Sequence, residues 1–157
     1  ELNAPEDMVG IYLICSTAAA VVTNLFLGRL SDRRGNRLLM RLAALTAVLP
    51  ASLAITVAFL PSSTLDKSVI FALVFVLVGL HTTASGIGGI NFVLELAPSV
   101  DRALYVGFAN GIVGLALFAS PLAGAFVDGL GYIPLFLFAL GCGLCAVLFS
   151  LRLEEPR

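Results

Sequence analysis

The stretch LFLGRLSDRRGNRLLMRLA, residues 25–43, joins two long apolar runs and decides how the chain folds. It carries five arginines and one aspartate, although charged residues make up only 12% of the chain. Membrane proteins show such short charged joints where two transmembrane helices meet outside the hydrocarbon core. The stretch therefore predicts that the runs on both sides of it cross a membrane.

The rest of the chain repeats this arrangement. Hydrophobic residues form 59% of the 157 residues, and the mean hydropathy of +1.04 is far above that of a soluble domain. About 20 apolar residues in a helix span a hydrocarbon core of about 30 Å. Because lipid offers no partner for backbone polar groups, the sequence predicts an all-α membrane protein, an up-and-down bundle of five transmembrane helices. The predicted spans are residues 8–30, 38–60, 68–97, 103–127 and 132–151.

The basic residues predict the orientation of these spans. With five spans, Lys67 falls on one side of the membrane, and all other basic residues fall on the opposite side. Arginine and lysine concentrate in cytoplasmic loops. We therefore expect an integral multi-pass protein of the plasma (inner) membrane, with the N-terminal end of the chain outside and the C-terminus in the cytoplasm. The residues expected on the cytoplasmic side are Arg29, Arg33, Arg34, Arg37, Arg41, Arg102, Arg152 and Arg157.

Several functional classes find no support in the sequence. The net charge is −1 and no basic domain is present, so we expect no nucleic-acid partner. No metal-ligand cluster, paired carboxylates or nucleophile with its base appears within the spans, so we expect neither an enzyme nor a bound metal or cofactor. Cys142 and Cys145 form a C-x-x-C pair, but apolar neighbours favour a packing role over redox chemistry.

The segment from Gly28 to Arg37 has physical features beyond its positive charge. Gly28 permits close approach of a neighbouring helix, Gly35 permits a tight turn, and the carboxylate of Asp32 can meet a helix N-terminus or an arginine. The segment resembles the signature loop of the major facilitator superfamily, G-x-L-[AS]-D-[RK]-x-G-x-[RK]. The matching residues are Gly28, Leu30, Asp32, Arg33, Gly35 and Arg37.

A second block is expected on the same side of the membrane. The segment FVLELAPSVDRALYVGFANG carries Glu95, Pro98 and Arg102 and is similar to the E-x-x-P-x-x-x-R-[GA] block of that superfamily. The resemblance implies that the two blocks form a charged interlock that closes the inner side of the transporter and breaks during transport. The gating residues that it implies are Gly28, Asp32, Arg33, Gly35, Arg37, Glu95 and Arg102. For Arg102, plain interfacial snorkelling is the alternative, and we expect no more than that of Arg29 and Arg41.

The resemblance also implies a larger architecture. Members of this superfamily have twelve helices in two halves, and the signature loop follows the second helix and, more weakly, the eighth. Because the loop at residues 28–37 follows the first span here, the chain resembles either helices two to six or helices eight to twelve. The aromatic-rich last span, which runs into a short charged tail, favours helices eight to twelve. We therefore expect a partial transporter domain, residues 1–157, whose partners are a small-molecule solute, the lipid bilayer and a missing N-terminal half. The implied function is secondary transport by alternating access, coupled to protons or another ion. The alternative is a transporter-like sensor or assembly subunit without net transport.

By the same resemblance, the first, third and fourth spans line a central cavity, whereas the second and fifth face lipid. Polar side chains within the lining spans become candidates for the solute or proton pathway: His81, Ser85, Asn91, Asn24 and Asn110. His81 is the only histidine, and an ionisable group at membrane depth suggests a relay or a binding site. The alternative for His81 is a neutral imidazole bonded to a carbonyl or hydroxyl of a neighbouring helix.

Glycine and proline add two expectations about helix geometry. We expect close helix crossings at Gly107-x-x-x-Gly111 and at the glycines between residues 86 and 89. Pro50 and Pro121 fall inside spans and are expected to kink them.

Overall fold

A computed structural model describes residues 8–60 and 67–154 of the chain. These residues are almost entirely helical and contain no strand, which confirms the predicted all-α class. Five spans are long and apolar enough to cross a membrane, again as predicted. The helices are α1 (Met8–Arg34), α2 (Asn36–Phe59), α3 (Lys67–Leu96), α4 (Arg102–Leu117), α5 (Ser120–Leu130) and α6 (Tyr132–Leu151).

Three helix boundaries have clear local causes. Gly35 alone separates α1 from α2 and has a φ of 79°, which a residue with a side chain adopts only at a cost. Gly131 separates α5 from α6 in the same way, with a φ of 84°. At the end of α2, Leu60 is extended, in line with the preference of a residue before a proline, here Pro61, for extended backbone.

The fourth span is interrupted, whereas the second is not. Residues 118 and 119 break the span into α4 and α5, and Pro121 lies in the first turn of α5, where its missing N–H costs nothing. The helix α2 runs unbroken through Pro50. Both prolines were expected to kink their spans, but only Pro121 coincides with a break in the helix.

The helix α3 lies between α1 and α2, and α6 packs against the other side of α2. The core of this bundle lies where α1, α2 and α3 meet, and consists of Leu27, Leu39, Ala43 and Ala84. The helix α2 is the most buried span, whereas no described residue of α4 or α5 is buried. This differs from the expectation that the second span mainly faces lipid. The reason is a stripe of small residues along α2, including Ala43, Ala44, Ala51 and Ala54, which lets neighbouring helices approach.

The close helix crossings occur mostly at glycines other than those predicted. A Cβ atom placed on Gly79 would lie 2.1 Å from the backbone oxygen of Ser16 in α1. On Gly88 it would lie 3.1 Å from Cβ of Leu39 in α2, and on Gly143 it would lie 3.2 Å from Cγ2 of Val48. By contrast, the positions of Gly28, Gly86, Gly89, Gly107 and Gly111 are open, with nothing within 4 Å.

Candidate functional site

The residues of the two sequence blocks lie at one end of the bundle. We call this the charged end and define it by Asp32, Arg33, Arg37, Glu95 and Arg102. The helix α1 continues to Arg34, four residues beyond the predicted end of the first span, so most of the signature segment is helical and only Gly35 forms the turn. The backbone N–H of Gly35 donates to the carbonyl of Ser31, at 3.1 Å, and closes that last turn.

Exposure differs among the charged side chains at this end. Asp32, Arg33 and Arg34 are exposed at the end of α1, whereas Arg37 in the first turn of α2 is half-buried. The Nε atom of Arg37 is buried and has no hydrogen-bond partner among the described residues. Glu95 is half-buried in the last turn of α3.

Arg102 occupies a different position from the other gating candidates. A turn closed by the N–H of Asp101 and the carbonyl of Pro98, at 3.0 Å, leads from α3 to α4. Arg102 is the first residue of α4 and is exposed. Its surroundings therefore fit the snorkelling alternative as well as they fit a gating contact.

Beneath these charges, three uncharged polar residues connect three helices. The hydroxyl of Ser31 in α1 donates to Oδ1 of Asn36 in α2. Nδ2 of Asn91 in α3 donates to Oγ of Ser31, at 3.2 Å. The structure thus places Asn91, a candidate for the solute pathway, in contact with the signature segment.

His81 and Ser85 face α2 and α6. Nδ1 of His81 lies 3.1 Å from the carbonyl oxygen of Ala43 and 3.5 Å from Oγ1 of Thr46, both in α2. Oγ of Ser85 lies 3.4 Å from both ring nitrogens. Because a carbonyl oxygen only accepts, we assign the proton to Nδ1, which leaves Nε2 of the neutral ring as the acceptor.

The two residues line an open cleft of 350 Å³ between α2, α3 and α6. Its walls are mostly small or apolar side chains, and the remaining lining residues are Met40, Ala43, Ala44, Ala47, Ala146, Phe149, Ser150 and Leu153. This cleft has walls from the second, third and fifth spans, because His81 and Ser85 project from the side of α3 that faces α2. It is therefore distinct from the central cavity that the first, third and fourth spans are expected to line.

Asn24 and Asn110 stand apart from this cleft. Both are exposed on the surfaces of α1 and α4, and neither helix contributes to the cleft lining. The structure therefore brings His81 and Ser85 together, and separately brings Asn91 to the charged end.

Three residues were missed in the sequence analysis. Ser31 occupies the alanine-or-serine position of the signature pattern and Asn36 an unspecified one, yet they are only 5% and 3% exposed. Arg41 was grouped with Arg29 as a snorkelling residue, but its guanidinium donates to the last carbonyls of α6. Nε reaches the oxygen of Ser150 at 3.3 Å, and Nη2 reaches that of Leu151 at 3.2 Å. The sequence did contain a signal for Ser31 and Asn36. Both are small polar residues at a helix junction, where apolar residues could face lipid at no cost.

Comparisons with known proteins identify the family. No curated protein and no solved structure matches the chain. The family model of the Major Facilitator Superfamily matches residues 1–157, the whole sequence. The five apolar helices agree with an integral multi-pass membrane protein, and members of this family are generally transporters and not enzymes. The chain therefore belongs to the major facilitator superfamily of membrane transporters.

Proposed function

We propose that the chain takes part in secondary active transport of a small solute by alternating access, coupled to protons. The charged end faces the cytoplasm and closes the inner side of the pathway, and the protein resides in the plasma (inner) membrane. The other half of the pathway wall comes from an N-terminal half of the same transporter.

The observation that supports the coupling is the position of His81. It is the only histidine of the chain, it lies in the middle of α3, and it lines the cleft together with Ser85. Its Nδ1–H bond to the carbonyl of Ala43 fixes the ring and leaves Nε2 as an acceptor. An ionisable side chain that is held by one nitrogen and keeps the other as an acceptor suits a proton carrier at membrane depth.

The contact with Ala43 also supports a purely structural role for His81. Two substitutions distinguish that role from proton coupling. His81→Asn places an amide N–H near the position of Nδ1–H, so it keeps the bond to α2 but cannot titrate. His81→Ala removes both properties. We expect His81→Asn to be as stable as the natural protein but to lose proton-coupled uptake, whereas His81→Ala loses stability as well.

The measurement is uptake of labelled small solutes into cells or vesicles that contain the full-length protein, with and without a pH gradient. A solute that accumulates only with the gradient identifies the cargo class. Uptake and pH dependence that are unchanged in His81→Asn would remove His81 from the mechanism. If the folded natural protein moves no solute under any gradient, the sensor or assembly subunit replaces transport as the function.

A further inference from the structure

The three-helix contact at the charged end consists only of uncharged polar groups. Asn91 donates to Ser31, and Ser31 donates to Asn36, so a continuous chain of hydrogen bonds crosses from α3 through α1 to α2. Every donor and acceptor in these two bonds belongs to a side chain. The contact therefore depends on the identity of these residues and not on backbone geometry alone.

Burial makes the contact specific. Ser31 and Asn36 are almost inaccessible, and Leu39, one turn further along α2, is 0% exposed and touches the backbone position of Gly88 in α3. Water cannot replace a lost partner at such a site, so removal of one side chain leaves a buried polar group unsatisfied. The bonds are worth more here than on an exposed surface.

The contact is also adjacent to the gating candidates on all three helices. Ser31 precedes Asp32, and Asn36 precedes Arg37. Asn91 lies four residues before Glu95 on α3, which puts both on one face of the helix. Whatever fixes these three polar residues also fixes the separation of the charged ones.

We propose that Ser31, Asn36 and Asn91 form a neutral joint that positions the charged end for closure, and that Asn91 is a positioning residue and not a solute ligand. The joint holds the end of α1 against α3, so that Asp32, Arg37 and Glu95 meet their partners in one geometry. This inference rests on the proposed function, because it names the element that positions the inner gate.

The test measures closure without requiring transport. In the full-length protein, the native cysteines Cys15, Cys142 and Cys145 are replaced by alanine, and Asn24→Cys is introduced two turns inside the charged end. A membrane-impermeant thiol reagent is then applied from the side of the charged end. Ser31→Ala and Asn91→Ala are made alone and together, with Asn91→Gln as the variant that keeps the amide donor. Thr56→Ala is the control, because its hydroxyl bonds only to Ser52 of its own helix among the described residues.

We expect each alanine variant to raise the labelling rate about three- to tenfold, because Asn91→Ala removes one hydrogen bond of the joint and Ser31→Ala removes both. The double variant should label no faster than the faster single variant, since both changes break the same chain of bonds. Asn91→Gln should restore part of the natural rate, and Thr56→Ala should leave it unchanged.

Three results would overturn the proposal. Additive effects in the double variant would show that Ser31 and Asn91 act independently. Lower thermal stability with an unchanged labelling rate would make the joint structural only. A raised KM for solute in Asn91→Ala, with normal labelling, would make Asn91 a solute ligand.

Failure of the natural protein to transport would refute the proposed function and leave the labelling result readable. If Ser31→Ala does not fold, the labelling rates of Asn91→Ala and Asn91→Gln test the proposal without it.

Discussion

At the scale of single residues, the arginines of residues 25–43 divide into distinct roles that the sequence does not separate. Arg29 is exposed on α1 and adds positive charge to the charged end of the bundle. Arg41 is half-buried on α2 and donates to two carbonyls in the last turn of α6. The carbonyl of Ser150 also accepts from the backbone N–H of Leu153, at 3.3 Å. The carbonyls of the last turn carry the negative end of the helix dipole, so a guanidinium beside them is stabilising.

We therefore predict that Arg41→Ala destabilises the protein while Arg29→Ala does not. The loss of two charge-assisted hydrogen bonds at a half-exposed site should cost about 1–2 kcal/mol and lower the midpoint of thermal unfolding by a few degrees. Arg41→Lys should recover only part of this stability, because an ammonium cannot reproduce the planar fork. The measurement is thermal unfolding in detergent. Equal midpoints for Arg41→Ala and Arg29→Ala would contradict the assigned contact.

At the scale of helices, α1 and α3 are held together along their whole length. Near the end opposite the charged end, the Tyr12 hydroxyl donates to the carbonyl of Ser68 at 3.0 Å, and the Tyr12 ring stacks on Phe75 at 4.8 Å. In the middle, Thr83 donates to the carbonyl of Ala20 at 3.3 Å. Gly79 lies against the backbone of Ser16. These contacts therefore pack α1 against α3 from the Tyr12 end to the charged end.

The close approach at Gly79 gives a prediction with a control on the same helix. Gly79→Ala places a methyl group into the backbone of Ser16, so α1 and α3 must separate. We expect a loss of about 2 kcal/mol or more, with less protein in the membrane fraction. Gly86→Ala meets open space on the same helix and should be neutral or stabilising by up to about 1 kcal/mol, since alanine favours helix over glycine. Thermal unfolding of the two purified variants checks the contrast, and similar midpoints would contradict the packing of α1 on α3.

The comparison of these two glycines shows what the sequence could predict at this scale. The number, length and approximate bounds of the spans follow from hydropathy, which is a local property of the chain. Which glycine lies at a helix crossing depends on the rotation of two helices about their axes, and the sequence around Gly79 and Gly86 does not fix that rotation. The same limit applies to His81. Its depth in the span was predictable, but the side of α3 from which it projects was not.

At the scale of the whole molecule, the described spans are unequally covered. No described residue of α4 or α5 is buried, and large side chains such as Phe108, Leu115 and Phe118 are exposed. By contrast, the signature segment and its neutral joint are well covered, because α1, α2 and α3 all converge there. The charged end is therefore the well-packed corner of a bundle whose α4 and α5 have no buried residue among those that the structure describes.

The orientation of this corner is the last prediction. Among the residues that the structure describes, all basic residues except Lys67 are expected on the side of the charged end, so the positive-inside rule predicts that this end faces the cytoplasm. In a protein without native cysteines, we expect Ser99→Cys, at the exposed turn between α3 and α4, to resist an impermeant thiol reagent added to intact cells. It should react once the membrane is permeabilised. Gly129→Cys, at an exposed position in the last turn of α5, should react in intact cells. The reverse pattern would place the charged end outside, and a gate formed there would close the external side of the pathway.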